Sequence, residues 1–361
     1  SDVCSSDLFI VYDHITKLLM DEIYTDNIES FLTCLKMVLI LAGDNILDEN
    51  RIGSLFKAFD TILKKILSGE LDEDERDEVI QTDGIDTNEL DEEEYERIKE
   101  DISDSDDWLS LILDLTSYIC KSHPTKFFTP FQYNLFPRVM IYFQQTEDND
   151  QLSFAIAMIG CIIADGHIFD FIPQVAQKFI EFSQNKSIDV ANNAIYFLGV
   201  FAKMEIPQFV QYIPTVIQSI GAMLNRKKTR ASVELADQVI LCVGNIIVHY
   251  YKQIPNIQQL LAGFIAMFPP KENFDEIIKL LVEMNTQQLL IPALQSSNIN
   301  DNVFHLVLYF AESVEYIEDE TKPLIKQLVM LLRSQVSPEA VQQIWGRLTL
   351  EQRGDLDSLF H

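Results

Sequence analysis

No apolar run in these 361 residues reaches the ~18 positions that a membrane-spanning helix requires. The longest, 37–42 and 156–164, read as helix faces, and a membrane role is not expected. Cysteine is sparse. Cys4, Cys34, Cys120, Cys161 and Cys242 form no Cys-x-x-Cys pair, and four of them lie in apolar helical stretches. The expectation is buried free thiols in a reducing compartment. Positive charge is also short: 27 Lys and Arg stand against 56 Asp and Glu, a net of −29. Phosphate contacts dominate nucleic-acid affinity, so this balance argues against direct nucleic-acid binding.

Catalytic signatures are missing as well. The sequence has no glycine-rich dinucleotide or phosphate loop, no His-Glu-x-x-His and no Gly-x-Ser-x-Gly. Its six histidines are scattered. Asp165-Gly166-His167 combines an acid, a glycine and a histidine, but reads as a helix C-cap. In that reading Gly166 takes the left-handed conformation and His167 lies near the carbonyl end. No enzyme activity, catalytic residue, cofactor or metal ligand is assigned.

What the chain does have is a repeat. Ile188–Gly199 is its clearest helix, with Val190, Ala194, Phe197, Leu198 and Phe201 on one face of a 3.6-residue period. Around it a proline recurs behind an apolar residue: Phe136-Pro137, Ile172-Pro173, Ile213-Pro214, Ile254-Pro255 and Ile291-Pro292, and more loosely Lys322-Pro323. The spacings are 36, 41, 41, 37 and 31 residues. Proline suits a first helical turn, where its missing N–H needs no partner. Periods of ~40 residues with two helices each belong to HEAT and armadillo repeats, which bury their apolar faces only by stacking. The expected fold is therefore all-α, an α-α superhelix, and the 47% hydrophobic content with only 12 Gly and 12 Pro is ample for it.

Helices are expected at 9–22, 28–42 (closed by Gly43), 52–67, 108–121, 131–144, 151–164, 172–183, 187–203, 213–224, 231–251 and 255–268. Shorter ones follow at 275–285, 289–295, 303–314, 323–332, 338–347 and 350–360. Residues 124–130 are expected to be a loop, and 225–230, with Arg226, Lys227, Lys228 and Arg230, a solvated basic loop. Ser1–Leu8 reads as a translated sequencing adapter, which would place the natural chain from about Phe9 and make the sequence a piece cut upstream. This divides the chain into 1–8, repeats over 9–69, an insertion over 70–107, and repeats with a polar cap over 108–361.

The insertion is the main charge feature. Glu70–Asp107 holds 20 acidic residues against Arg76, Arg97 and Lys99, so −17 of the −29 sits in 38 residues. Few aromatics and little periodicity predict disorder, with a frayed helix around 92–99. Asp72, Glu73, Asp74, Glu75, Asp91, Glu92, Glu93 and Glu94 are its candidate contacts for a basic partner, against the plainer reading of a solvated spacer. They lack the spacing and glycine of a calcium loop.

These features together resemble the C-terminal third of the importin-beta (karyopherin-beta) superfamily, closest to its importin-5, or karyopherin beta-3, branch. An acidic insertion follows a helix like 56–67 and precedes one like 108–121. Asp189-Val190, Ala194-Ile195-Tyr196 and Leu198-Gly199-Val200 resemble one repeat helix of that branch. Asp237, Ile240, Val243-Gly244 and Ile246 resemble another. Leu348–Gln352 with Leu356 and Leu359 is similar to its C-terminus. The resemblance implies a shuttling nuclear transport receptor, active as a monomer between cytoplasm and nucleus through the nuclear pore. It implies basic cargo such as nuclear localisation signals, ribosomal proteins or histones, phenylalanine-glycine nucleoporins, and release by Ran-GTP bound mainly at N-terminal repeats. The competing readings are a general HEAT scaffold without Ran dependence and, more remotely, the appendage of an enzyme.

Overall fold

The computed structural model describes residues 5–21, 25–43, 47–67, 107–145, 148–224, 230–270 and 273–360. Among them every regular element is helical. The chain divides into two compact units, 1–168 and 169–361.

The first unit contains α1 (Ser5–Asp21), α2 (Thr25–Ala42), α3 (Glu49–Leu67), α4 (Asp107–Ser122), α5 (Pro124–Asn134), α6 (Phe136–Gln145) and α7 (Asn149–Asp165). They form two layers. α1, α3 and α5 pack side by side in one, and α2, α4 and α7 in the other. Gly43 ends α2 at φ 60°, the left-handed cap that glycine adopts without penalty. Asp148 starts α7 by accepting the Asp150 and Gln151 N–H groups at 2.9 and 3.0 Å. Between neighbouring elements a tyrosine hydroxyl recurrently donates to a helix carbonyl: Tyr12 to Arg51 O at 3.1 Å, and Tyr142 to Leu63 O at 2.6 Å. These ties satisfy a buried polar group at each end while the ring fills the core.

Three expectations are corrected in this unit. Residues 124–130 are not a loop but most of α5. Pro124 sits in the first turn, where its ring does no harm, and Pro130 is buried inside the helix. Packing overrides the lost hydrogen bond: Phe127 and Phe131 stack at 5.2 Å and both meet Phe56 edge-on at 5.6 and 6.0 Å. The expected helix 131–144 breaks at Leu135. Pro137 cannot donate to Tyr133 O, so the chain restarts there, with Arg138 and Val139 donating to Leu135 O at 3.0 and 3.2 Å. At the end of α7, Gly166 caps the helix as expected but with φ −84°, and His167 takes the left-handed position at φ 52°. The glycine is needed for space. A Cβ there would lie 2.7 Å from Ile162 O and 2.9 Å from Cys120 Sγ.

The second unit contains α8 (Ile172–Phe182), α9 (Ile188–Lys203), α10 (Ile213–Leu224), α11 (Arg230–Tyr250), α12 (Ile257–Ile265), α13 (Phe274–Thr286), α14 (Leu290–Leu294), α15 (Ile299–Ser313), α16 (Lys322–Ser334), α17 (Pro338–Arg347) and α18 (Leu350–Ser358). The repeating prolines fall where a first turn tolerates them: Pro173, Pro214 and Pro323 are second residues of α8, α10 and α16, and Pro292 is the third of α14. Pro255 precedes α12 by two residues. α9, α11 and α13 lie side by side, with α8 against α10 and α12 against α14 on the other layer. All five apolar-face residues of α9 are buried. α15 gathers α16, α17 and α18 around it. A capping box starts α18, with Gln352 N donating to Thr349 Oγ at 3.1 Å and Thr349 N to Gln352 Oε1 at 3.0 Å.

Cys4 lies outside the described residues; of the other cysteines, Cys120 and Cys242 are buried and Cys161 is half-buried, but Cys34 is exposed on α2. It shares the outer stripe of that helix with Met37 and Leu41, at i+3 and i+7, so apolar periodicity alone placed it wrongly. Among the described residues no helix is long and apolar enough to cross a membrane.

Candidate binding surface

The layer of α9, α11 and α13 carries a groove of about 310 Å³. Its lining repeats with one spacing on each helix. Tyr196, Gly199, Val200 and Lys203 come from α9. Gln238, Leu241, Cys242 and Asn245 come from α11, and Glu276, Lys279, Leu280 and Glu283 from α13. Positions i, i+3, i+4 and i+7 share one helix face. The three helices therefore present equivalent rungs: Tyr196–Gln238–Glu276 at one end, a middle of Gly199, Val200, Leu241, Cys242 and Leu280 with Lys279 beside them, and Lys203–Asn245–Glu283 at the other.

Two glycines set the helix spacing under this groove. A Cβ on Gly199 would stand 3.0 Å from the Cys242 Cα, so α9 meets the α11 backbone directly. A Cβ on Gly244 would stand 2.2 Å from Leu280 Cδ2 and 3.2 Å from Phe264 Cε2. Both glycines belong to the Leu198-Gly199-Val200 and Val243-Gly244 matches noted in the sequence, whose physical role is this close approach.

At the Lys203 end, His249 joins three elements. Its Nδ1 is 3.2 Å from Glu205 Oε1, and its Nε2 is 4.0 Å from Glu283 Oε1. Glu205 stands at φ 53° in the turn after α9. The groove thus has mixed charge at its rim, amides from Gln238 and Asn245, and an aromatic edge in the half-exposed Tyr196. Gln238 Oε1 is buried without a hydrogen-bond partner.

This chemistry suits binding. Burial holds the Cys242 thiol well above its ordinary range, so the floor carries a neutral sulfur and not a nucleophile. In the first unit the Ser122 hydroxyl lies 2.7 Å from His123 Nδ1 but donates its own proton to Tyr118 O, also at 2.7 Å. Among the described residues no cluster of three potential metal ligands occurs.

The acidic candidates Asp72, Glu73, Asp74, Glu75, Asp91, Glu92, Glu93 and Glu94 lie outside the described residues, as do Arg226, Lys227 and Lys228. The structure places only their flanks, the end of α3 at Leu67 and the start of α4 at Asp107. The groove was not singled out from the sequence. Its signal was present in the equivalent spacing of residues 196–203, 238–245 and 276–283, which periodicity treats as outer helix faces.

Comparison with known proteins gives two findings. Residues 27–145 match the family described as importin repeat 6. Solved structures similar to the chain include Kap121p bound to RanGTP, with a TM-score of 0.69 and 15% identity over 96% of this chain and 30% of that one. Kap121p bound to Nup53p is similar at a TM-score of 0.65 and 14% identity, over 98% of this chain and 30% of that one. Kap121p bound to the extreme C-terminus of the protein phosphatase Cdc14p is similar at 0.62 and 17%, over 96% and 29%. The chain therefore spans about 30% of the length of the structures it matches. No curated protein matches it.

Proposed function

Because residues 27–145 carry an importin repeat and the chain has the HEAT-repeat fold of an importin-beta superfamily karyopherin, we propose that it is part of a nuclear transport receptor, corresponding to its C-terminal repeats. The observation that carries this is the coincidence of the two: a sequence match confined to the first unit, and a fold match that covers 96% of the chain.

The partners follow from chemistry and from the matched structures. With a net charge of −29, of which −17 lies between Glu70 and Asp107, the chain attracts basic proteins and raises their encounter rate. Its cargo is a basic segment of the kind found in nuclear localisation signals, ribosomal proteins or histones. Kap121p binds RanGTP and Nup53p, and we carry over Ran-GTP as the release signal and nucleoporin repeats as the route. The receptor shuttles between cytoplasm and nucleus and acts as a binding protein without catalytic turnover.

The test is a titration of the full-length protein that carries this chain with a basic nuclear-localisation peptide and with a phenylalanine-glycine nucleoporin peptide, repeated with Ran loaded with a non-hydrolysable GTP analogue. Binding of both peptides, with the basic one displaced by Ran, supports the receptor. Basic-peptide binding that ignores Ran, on a chain that ignores the nucleoporin peptide, favours a general HEAT scaffold.

A further inference from the structure

An aromatic stack in the second unit ends in open solvent. Tyr309, fully buried on α15, stacks on Phe274 at 5.6 Å and 23°, and Phe274 stacks on Tyr316 at 5.6 Å and 13°. Tyr309 also donates its hydroxyl to Phe274 O at 3.1 Å, which pins the start of α13. The terminal ring, Tyr316, is 70% exposed. One face of Tyr316 is held by Phe274, and the ring is otherwise open to water.

Its surroundings are acidic. Glu315, Glu318, Asp319 and Glu320 flank Tyr316 in the turn after α15, and Asp275 and Glu276 follow Phe274 in the first turn of α13. Asp275 and Glu276 stand close enough to raise the Tyr309 pKa, after the larger effect of burial. Asp319 is paired with Lys322 at 2.7 Å. Among the described residues no basic side chain pairs with Glu315, Glu318 or Glu320. Asp275 Oδ1 is buried without a hydrogen-bond partner.

We infer that the Tyr316 face is a docking site for an arginine side chain of a basic protein segment. A π-face attracts a cation, and guanidinium adds what ammonium lacks: a planar, weakly hydrated surface that stacks, and a fork of N–H donors for carboxylates at its edge. A tyrosine stacked on one face and open on the other, in a turn whose Glu315, Glu318 and Glu320 form no ion pair among the described residues, offers both halves of that recognition. The site rests on the proposal that the chain's partners are basic, and it commits to arginine in place of basic charge in general.

The test uses the full chain, whose acidic 70–107 segment also attracts any polycation, so the readout must be local and must separate arginine from lysine. Octa-arginine and octa-lysine peptides are titrated at ~0.15 M salt, where distant charges are screened, into the unaltered chain, Tyr316→Ala and Tyr316→Phe. The expected result is a preference for arginine that Tyr316→Ala reduces by about three- to fivefold and Tyr316→Phe retains. Glu318→Lys weakens both peptides, and octa-arginine slows amide exchange at residues 313–321. Equal arginine affinity in Tyr316→Ala, or protection confined to other segments, overturns the site and leaves the basic-partner reading standing. A chain that binds neither peptide overturns both.

Discussion

The groove of the second unit depends on how closely α11 and α13 approach, and Gly244 sets that distance. An alanine at Gly244 adds a Cβ 2.2 Å from Leu280 Cδ2 and 3.1 Å from its Cγ, closer than atoms can sit. Phe264 is fully buried and Leu280 is 4% exposed, so the added Cβ must push Leu280 toward the groove it lines. Overpacking of this kind costs about 1–3 kcal/mol. Alanine also returns about 1 kcal/mol of helix propensity, so Gly244→Ala should lose up to about 2 kcal/mol net. Gly263 on α12 is the internal control: it is exposed, nothing lies within 4 Å of its added Cβ, and Gly263→Ala should gain about 0.5–1 kcal/mol. With a urea slope of about 2 kcal/mol per M, the two variants should separate by roughly 0.3–1.5 M in midpoint, with Gly263→Ala above the parent and Gly244→Ala at or below it. In a Leu280→Ala background only the 3.2 Å contact with Phe264 remains, so Gly244→Ala should cost less there than in the parent. If Gly244→Ala raises the midpoint of the parent as much as Gly263→Ala, the close approach of α11 and α13 is not as described.

Other consequences are as direct. Tyr142→Phe removes the second donor to Leu63 O at a buried site, so it should cost about 1 kcal/mol by denaturant titration, whereas loss of an exposed hydroxyl such as that of Tyr133 should cost nothing measurable. Burial, reinforced by Asp165, pushes the Cys120 and Cys161 thiols from 9.0 up to about 12, and burial pushes Tyr250 from 10.0 up to about 12. The folded chain therefore holds these protons more tightly than the unfolded one. Their contribution is complete below pH ~9 and is lost as pH rises toward ~12, so the urea midpoint should fall over that window and fall less in Cys120→Ala/Cys161→Ala. Deleting Glu70–Asp107 should slow association with a basic peptide at low salt and matter less at ~0.15 M, where charges beyond about 8 Å are screened; an unchanged rate at low salt would remove the segment's steering role.

Much of the architecture was legible because a repeat displays the same physics several times. One proline in a first turn is weak information; five at nearly regular spacing fix the start of a helix and the period of the stack, and Pro173, Pro214 and Pro323 fall at second helical positions. The misreadings came where tertiary contact overrode local preference. Pro130 stays inside α5 because Phe127 and Phe131 pack on Phe56, residues far away in sequence. Gly166 looked like a left-handed cap, but its use is clearance for Cys120 and Ile162, and His167 bears the unfavourable φ. Cys34 was read as buried from the apolarity of α2, and no local signal told its outer stripe from its inner one. The site was less legible than the fold. The groove and the Tyr316 stack are assembled from neighbouring side chains 35 to 42 residues apart and take their chemistry from helix register. The acidic run was plain in composition, but composition gives its charge and not its contacts.

The central claim is that this chain belongs to a nuclear transport receptor, and such a protein must enter the nuclear pore. The most direct measurement is the distribution of the fluorescently labelled chain in permeabilised cells, beside an inert protein of the same size. Accumulation at the nuclear rim and faster entry than the inert protein, both competed by free phenylalanine-glycine nucleoporin repeats, is the predicted result. A chain excluded from the pore to the same extent as the inert protein would contradict it.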